Sequence, residues 1–433
     1  MRIVANEWEL SATALLHLNY LDLSYNNFNG TQIPRFLSSM GSLRFLNLSN
    51  AGYGGVIPYH LGNLSNLHYL NLEGNDSYVN NLQWLSGLPL LQHLDMSYVN
   101  LSIAFDRLHD INKLSSLLEL QLSNCALPYI PLTPSVNFSS LTTLDLSSNH
   151  FENTLIPSWI FGLRNMLSLD LSDNDFQATI STLQFPISCI SLFILSLSTL
   201  APISCRVQSP IFIDLSYNEL GGKLQRSLGN LCNLREVILS SNHWSQEISE
   251  ILKSLLGCLL HSLEFLKLSH VQISGHLNNE LGQFKNILIL SFWNNSISGP
   301  ILESIRNLTS LRFLNLSYNR FNGTFPQNFR QLSKLTNLFI ESNMLNGVFI
   351  FSNLTRLNIF YAFENQLTLD GQNFPLGFVH KVIFAFWISN IGISDMVPSS
   401  FWNLSSNFKF LNLSHNQIYR EIPNSQMILS TFS

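Results

Sequence analysis

The sequence predicts an α/β repeat solenoid, a right-handed, curved horseshoe with a parallel β-sheet on its concave face and 3₁₀ or extended segments on its convex face. Three observations predict it. The frame L-x-x-L-x-L-x-x-N recurs along nearly the whole 433-residue chain. Many units continue with a Gly–x–apolar–Pro stretch suited to a tight return. Charged residues make up only 11% of the chain while 46% are hydrophobic, against about 25% charge in ordinary soluble domains.

The frame appears first in Leu18, Leu21, Leu23 and Asn26, then in Leu67, Leu70, Leu72 and Asn75, and again in Leu141, Leu144, Leu146 and Asn149. Its asparagine position falls at residues 26, 51, 75, 99, 125, 149, 174, 200, 218, 242, 271, 295, 319, 343, 365, 391 and 416. The mean step is about 24 residues, inside the roughly 20–29 of a leucine-rich repeat. Residues 1–14 form a non-repeat segment, residues 15–424 hold about seventeen units, and residues 425–433 form a tail without a cap.

The spacing has a physical reason. Within x-L-x-L-x the side chains alternate, so both leucines point inward and the x residues outward. One such strand buries nothing alone; stacked neighbours build a continuous core. The Asn turns the chain out of the strand and its amide bonds adjoining coils in a ladder. On the return leg, Phe28, Gly30, Ile33 and Pro34, and later Phe321, Gly323, Phe325 and Pro326, give a tight turn and block a long helix.

The frame predicts its own irregularities. Ala51, Val99, Leu200, Val271 and Ile391 stand where Asn is expected and should interrupt the ladder, whereas Cys125 is an accepted substitute. The unit is irregular around 176–218 and 243–271. Phe185 to Ile203 approaches the length of a membrane span, but its prolines and the in-frame Leu192, Leu195 and Leu197 favour a degenerate repeat.

Several units carry the extension that identifies a narrower class. Gly55-Val56-Ile57-Pro58 leading to Leu61-Gly62-Asn63-Leu64 resembles the plant-specific leucine-rich repeat. Asn29 to Pro34, Asn230 to Leu234 and Pro398 to Ser405 resemble plant receptor-like proteins, in particular the ethylene-inducing-xylanase receptor-like group. The resemblance implies an extracellular, plasma-membrane glycoprotein of defence or development without a kinase of its own. It would bind a peptide, glycan or protein ligand on its concave face and signal through a co-receptor kinase. No apolar leader, paired-cysteine cap or membrane helix is read in the chain, so a partial ectodomain is expected. The alternatives are a soluble leucine-rich repeat inhibitor or scaffold, and a truncated, non-functional receptor fragment.

Of five cysteines, Cys232 and Cys258 lie about one repeat apart and suit a bond between adjacent coils; Cys189 and Cys205 flank the irregular segment and suit another. Buried free thiols are the alternative for both pairs. Sequons at Asn63, Asn137, Asn307, Asn353 and Asn403 fall on the return leg, where a glycan reaches solvent, whereas Asn75 occupies the buried ladder position. These sites require the secretory pathway.

No catalytic motif and no cofactor fingerprint is found, so the expected function is not enzymatic. The 22 basic and 27 acidic residues lack the cationic clusters that nucleic-acid binding requires. Asp22, Asp95, Asp145, Asp170 and Asp214 share one outward strand position, which a D-L-S consensus explains better than a cation site. From the tenth unit on, outward positions become aromatic: Phe265, Trp293, Phe313, Phe339, Tyr361, Phe363, Trp387 and Phe410. Grouped exposed aromatics mark binding surfaces; tilting into the lateral core is the competing explanation. The expectation is a neutral, aromatic ligand platform.

Overall fold

The computed structural model describes residues 16–104, 107–130, 138–149, 151, 155–161, 163, 165–177, 211–224, 226–349, 354, 356–369, 383–391 and 408–418. The chain divides into two compact units, residues 1–220 and 221–433.

In the first unit, eight strands form a parallel sheet in chain order: β1 (Tyr20–Asp22), β2 (Phe45–Asn47), β3 (Tyr69–Asn71), β4 (His93–Asp95), β5 (Glu119–Gln121), β6 (Thr143–Asp145), β7 (Ser168–Asp170) and β8 (Phe212–Asp214). The register keeps leucine beside leucine, as in Leu46↔Leu70 and Leu94↔Leu120. These central residues are fully buried, as are the frame leucines before and after them, such as Leu67, Leu72, Leu91 and Leu117. Three-residue strands of this kind are stable because each is covered on both sides by the next coil.

The second unit repeats the plan with β9 (Glu236–Ile238), β10 (Phe265–Lys267), β11 (Ile289–Ser291), β12 (Phe313–Asn315), β13 (Asn337–Phe339), β14 (Ile359–Tyr361), β15 (Ile383–Trp387) and β16 (Phe408–Asn412), again parallel and in order. Its core is more aromatic. Phe292, Phe321, Phe329, Phe349 and Phe360 are buried. A small lateral sheet of Ser298–Gly299, Arg320–Thr324, Met344–Phe349 and Gln366–Leu369 follows the turns.

The return legs are mostly short 3₁₀ turns, for example Arg35–Ser39, Tyr59–Asn63, Glu303–Asn307 and Gln327–Gln331. Prolines 34, 58 and 326 precede three of these in extended conformation, which fixes where each turn begins. The long step from 242 to 271 is absorbed by two short α-helices, Ile248–Ser254 and Leu259–Ser262.

Each ladder amide both accepts from and donates to the coil before it. The Asn75 Oδ1 accepts from the backbone N–H of Ala51 and Tyr53, while its Nδ2 donates to Leu48 in the preceding coil and to Leu72 in its own. Asn149, Asn174, Asn218, Asn295, Asn319, Asn343, Asn365 and Asn416 repeat the donation to the coil before. Each buried carbonyl that the curvature of the backbone would orphan is thereby satisfied.

Two ladder positions without Asn are served by other chemistry. Cys125 stands in for Asn, its thiol donating to the Met96 carbonyl at 3.1 Å. Opposite Val271 the Leu239 carbonyl instead accepts from the indole N–H of Trp244, also at 3.1 Å. The expected interruption at 271 is therefore chemical in sequence but not in bonding.

The expected unit at residue 200 lies outside the described residues, and the coils on either side of it meet directly. Strand β7 pairs directly with β8, Ser168↔Phe212 and Asp170↔Asp214. Asn218 donates straight to Leu171, and Phe176 donates to Asn218. Among the described residues, each unit holds eight strands of this kind. The frame at 192–200 and its leucines lie outside the described residues, as do the terminal segments 1–14 and 425–433.

Candidate functional site

The residue just before each Asn position is left-handed in all sixteen described coils, with φ between 49° at Asn390 and 68° at Gly74. The chain thus leaves every strand by the same turn, and the side chains facing out of the sheet fall into straight rows. In the first unit the last strand residues read Asp22, Asn47, Asn71, Asp95, Gln121, Asp145, Asp170 and Asp214. Six of the acceptors among them, Asp22, Asn47, Asp95, Asp145, Asp170 and Asp214, bind the backbone N–H of a serine two residues on, at 2.8–3.0 Å. The recurrent D-L-S is thus a local turn device. Stacking has an electrostatic cost: burial pushes the Asp170 carboxyl up to about 6, opposed by its bonds to Ser172 and reinforced by Asp145 and Asp214.

A second row of the same unit was not anticipated. Tyr20, Phe45 and Tyr69 stack with ring centroids 4.2 Å apart, and His93 follows Tyr69 at 5.6 Å. The His93 Nδ1 meets the Glu119 carboxylate at 2.9 Å. All five residues occupy the first position of a strand, so the frame that located the later aromatics would have located these too.

The predicted aromatics of the second unit separate into one cluster of five and three residues outside it. Phe313, Phe339, Tyr361 and Trp387 form one continuous chain of rings, with successive centroids 5.3, 5.1 and 5.2 Å apart. Phe363 flanks it, 6.4 Å from Tyr361 and 6.2 Å from Trp387. Trp293 stands apart with His270 and Tyr318, each 6.2 Å away. Phe265 is kept from Phe313 by Ile289 in the register, and Phe410 lies beside Ala385. Trp293, Trp387 and Phe410 are exposed by 40%, 37% and 54%, and the remaining members are half-buried. They face solvent rather than the lateral core.

Among these rings sits one residue that sequence reasoning passed over. Glu341 lies two residues after Phe339 on the same outward face, in the row that carries Ser317 on one side and Phe363 on the other. It is only 6% exposed, and its Oε2 has no hydrogen-bond partner. Burial pushes its carboxyl up to about 7, opposed by bonds from its own backbone and Ser317 and reinforced by Glu364. A serine fills this position in most other coils, so a glutamate there was the available signal.

Cys232 and Cys258 are joined in a disulfide with Cα atoms 4.6 Å apart; Cys125 is free and buried. Cys189 and Cys205 lie outside the described residues. Asn63 and Asn307 are exposed at the ends of 3₁₀ turns, whereas Asn75 is 3% exposed and fully engaged in the ladder. Asn137, Asn353 and Asn403 also lie outside the described residues.

Comparison with known proteins bears on the fold. A family model described as Leucine Rich Repeat matches residues 17–40, 140–163 and 310–332. The chain is 41% identical over 177 residues to Receptor-like protein EIX1 of Solanum lycopersicum, covering 39% of this chain and 17% of that protein. It is 30% identical over 302 residues to Receptor-like protein EIX2 of the same plant, covering 68% of this chain and 27% of that one. The chain therefore spans about a quarter or less of these relatives. Among solved structures, the Arabidopsis receptor kinase HAESA in complex with the peptide hormone IDA and the co-receptor SERK1 matches with a TM-score of 0.69 and 23% identity, over 95% of this chain and 64% of that one. Among the described residues no helix is long and apolar enough to cross a membrane.

Proposed function

We propose that this chain, a leucine-rich repeat relative of the EIX-group plant receptor-like proteins, recognises a ligand on the outward sheet face of its second unit. The observation that carries the reading is the ring chain Phe313–Phe339–Tyr361–Trp387 with Phe363 beside it. Five aromatic side chains contributed by four successive strands lie on one face, and part of their surface is open to water. Rings in a rigid parallel sheet are already ordered, so a ligand covering them incurs little entropic cost there. Such centrally grouped aromatics dominate binding energy where they are desolvated.

The ligand class is a peptide, glycan or protein. The relatives' receptor-like names and the peptide hormone held by the similarly folded HAESA support a peptide first. In this reading the protein is not an enzyme: capture at the cell surface is followed by association with a co-receptor kinase, as part of defence or development. Trp293, Phe265 and Phe410 extend the platform, and sugars on Asn63 and Asn307 would project from the return legs.

The test is selection of a random phage-displayed peptide library on the full chain and on the Phe339→Ala/Trp387→Ala variant. Wild type should enrich a sequence family whose binding weakens at least about tenfold in the variant. Enrichment of the same peptides at equal affinity by both proteins would refute the platform.

A further inference from the structure

We propose that the ring cluster around Glu341 is a receptor for a cationic side chain, a guanidinium such as that of an arginine in a bound peptide. This deepens the platform reading and rests on it. The three outward rows of the second unit hold few ions; their acids are Glu236 and Glu341 and their cation is Lys267. At the aromatic cluster Glu341 is the one carboxyl in those rows, in line with Phe363 and two residues on from Phe339, yet buried, 6% exposed and with Oε2 unpartnered.

Its placement is costly without a ligand. A buried carboxyl with one oxygen unpartnered gives up hydration that its bonds from Ser317 and the backbone only partly replace, and a serine, present at the equivalent position of most coils, would avoid this. Two terms change when a guanidinium lies over Tyr361 and Trp387. The faces of the rings attract the cation directly. The low-dielectric layer between cation and carboxylate transmits Coulomb attraction that water would screen. A guanidinium also suits the geometry better than an ammonium, because its plane stacks on an aromatic face while its edge donates toward an acceptor.

The coupling runs both ways. A nearby cation favours the ionised carboxylate, so binding should draw Glu341 down from its raised value and release a proton near neutral pH. The acidic neighbour Glu364, whose charge reinforces the raised value, opposes ionisation in the free protein and gains from the same cation. A neutral ligand seated on the same rings has no such linkage.

Two blocked pentapeptides test the proposal: Gly-Gly-Arg-Gly-Gly, and the same peptide with citrulline, which keeps the shape and loses the charge. Binding to the full chain is followed by tryptophan fluorescence and by titration calorimetry in two buffers of different ionisation enthalpy. The arginine peptide should bind about five- to tenfold tighter than the citrulline peptide and release protons. Glu341→Gln should remove both the preference and the proton release while leaving the citrulline peptide unaffected. The glutamine is isosteric and relieves a buried acid, so the variant's thermal unfolding should not fall below wild type. Equal affinity for the two peptides, or an arginine preference that survives Glu341→Gln, overturns the inference. If instead library-selected peptides lose affinity on Trp387→Ala but show no preference for arginine over citrulline, the platform stands and the cation receptor falls. If they are indifferent to Trp387→Ala, the platform itself falls.

Discussion

Replacement of a single ladder asparagine should cost far more than its size suggests. Asn149 is 3% exposed. Its Oδ1 accepts from Cys125 and Leu127, both at 3.0 Å, and its Nδ2 donates to Leu122 at 2.8 Å and to Leu146 and Ser147 at 3.0 Å. One amide carries only two N–H bonds, so two of the three donations share a hydrogen and four effective bonds are lost in Asn149→Ala. At about 1 kcal/mol each for neutral groups, rising where partners are left buried and unpaired, the loss is about 4 kcal/mol. Asn26 is the internal control, since it is exposed and bonds only its own Leu23 and Ser24 carbonyls; Asn26→Ala should cost below about 1 kcal/mol. Urea unfolding measures the difference, and amide exchange at Cys125 and Leu127 localises it. A loss in Asn149→Ala no greater than in Asn26→Ala would refute the ladder as the stabilising element.

Three further outcomes follow from the same geometry. Trp244→Phe deletes one of the two N–H groups that serve the Leu239 carbonyl, the Asn242 amide being the other, and should cost about 1 kcal/mol, and Val271→Asn should restore most of it in the double variant, read by thermal unfolding. Asp170 and Glu341 both have raised folded-state values, about 6 against 3.8 and about 7 against 4.5. The folded state then holds its protons more tightly, so the stability is present below about pH 4 and lost as pH rises through 6 to 7, on the order of 2–3 kcal/mol for each group. Asp170→Asn should therefore stabilise at pH 7.5 but not at pH 4, and an equal effect at both would contradict the burial argument. Finally, Cys125 is buried and its thiol is pushed up by burial, so it should resist alkylation in the native protein and react fully once unfolded; native-state labelling would exclude its role as a ladder donor.

The repeat frame reveals which residues are inward because a strand alternates and Leu46, Leu70 and Leu94 have nowhere else to go. It also locates the aromatic rows, since each outward position recurs with the step. What it conceals is bonding that depends on neighbours at long range. Trp244 reads as an ordinary core aromatic until the missing amide opposite Val271 is known. The direct pairing of β7 with β8 is likewise hidden, because pattern reports burial preference and not which coil a strand will pair with. The left-handed turn residue is hidden for another reason: Tyr98, Glu364 and His415 occupy it as readily as Gly74, so no side-chain signature marks it. Glu341 was overlooked because a lone acid in a neutral row looks like a solvated exception.

The ladder gives the stack a direction. An amide satisfies backbone groups of the coil before it, while groups of its own coil wait for the amide that follows. During synthesis from the amino end, the most recently emerged coil is therefore always the unfinished one, and its amide stabilises its predecessor before all of its own groups are met. A break in the chain is consequently not symmetric. Trimming coils from the amino end removes dependants, whereas trimming from the carboxyl end removes providers and leaves the new last coil with unpaired polar groups.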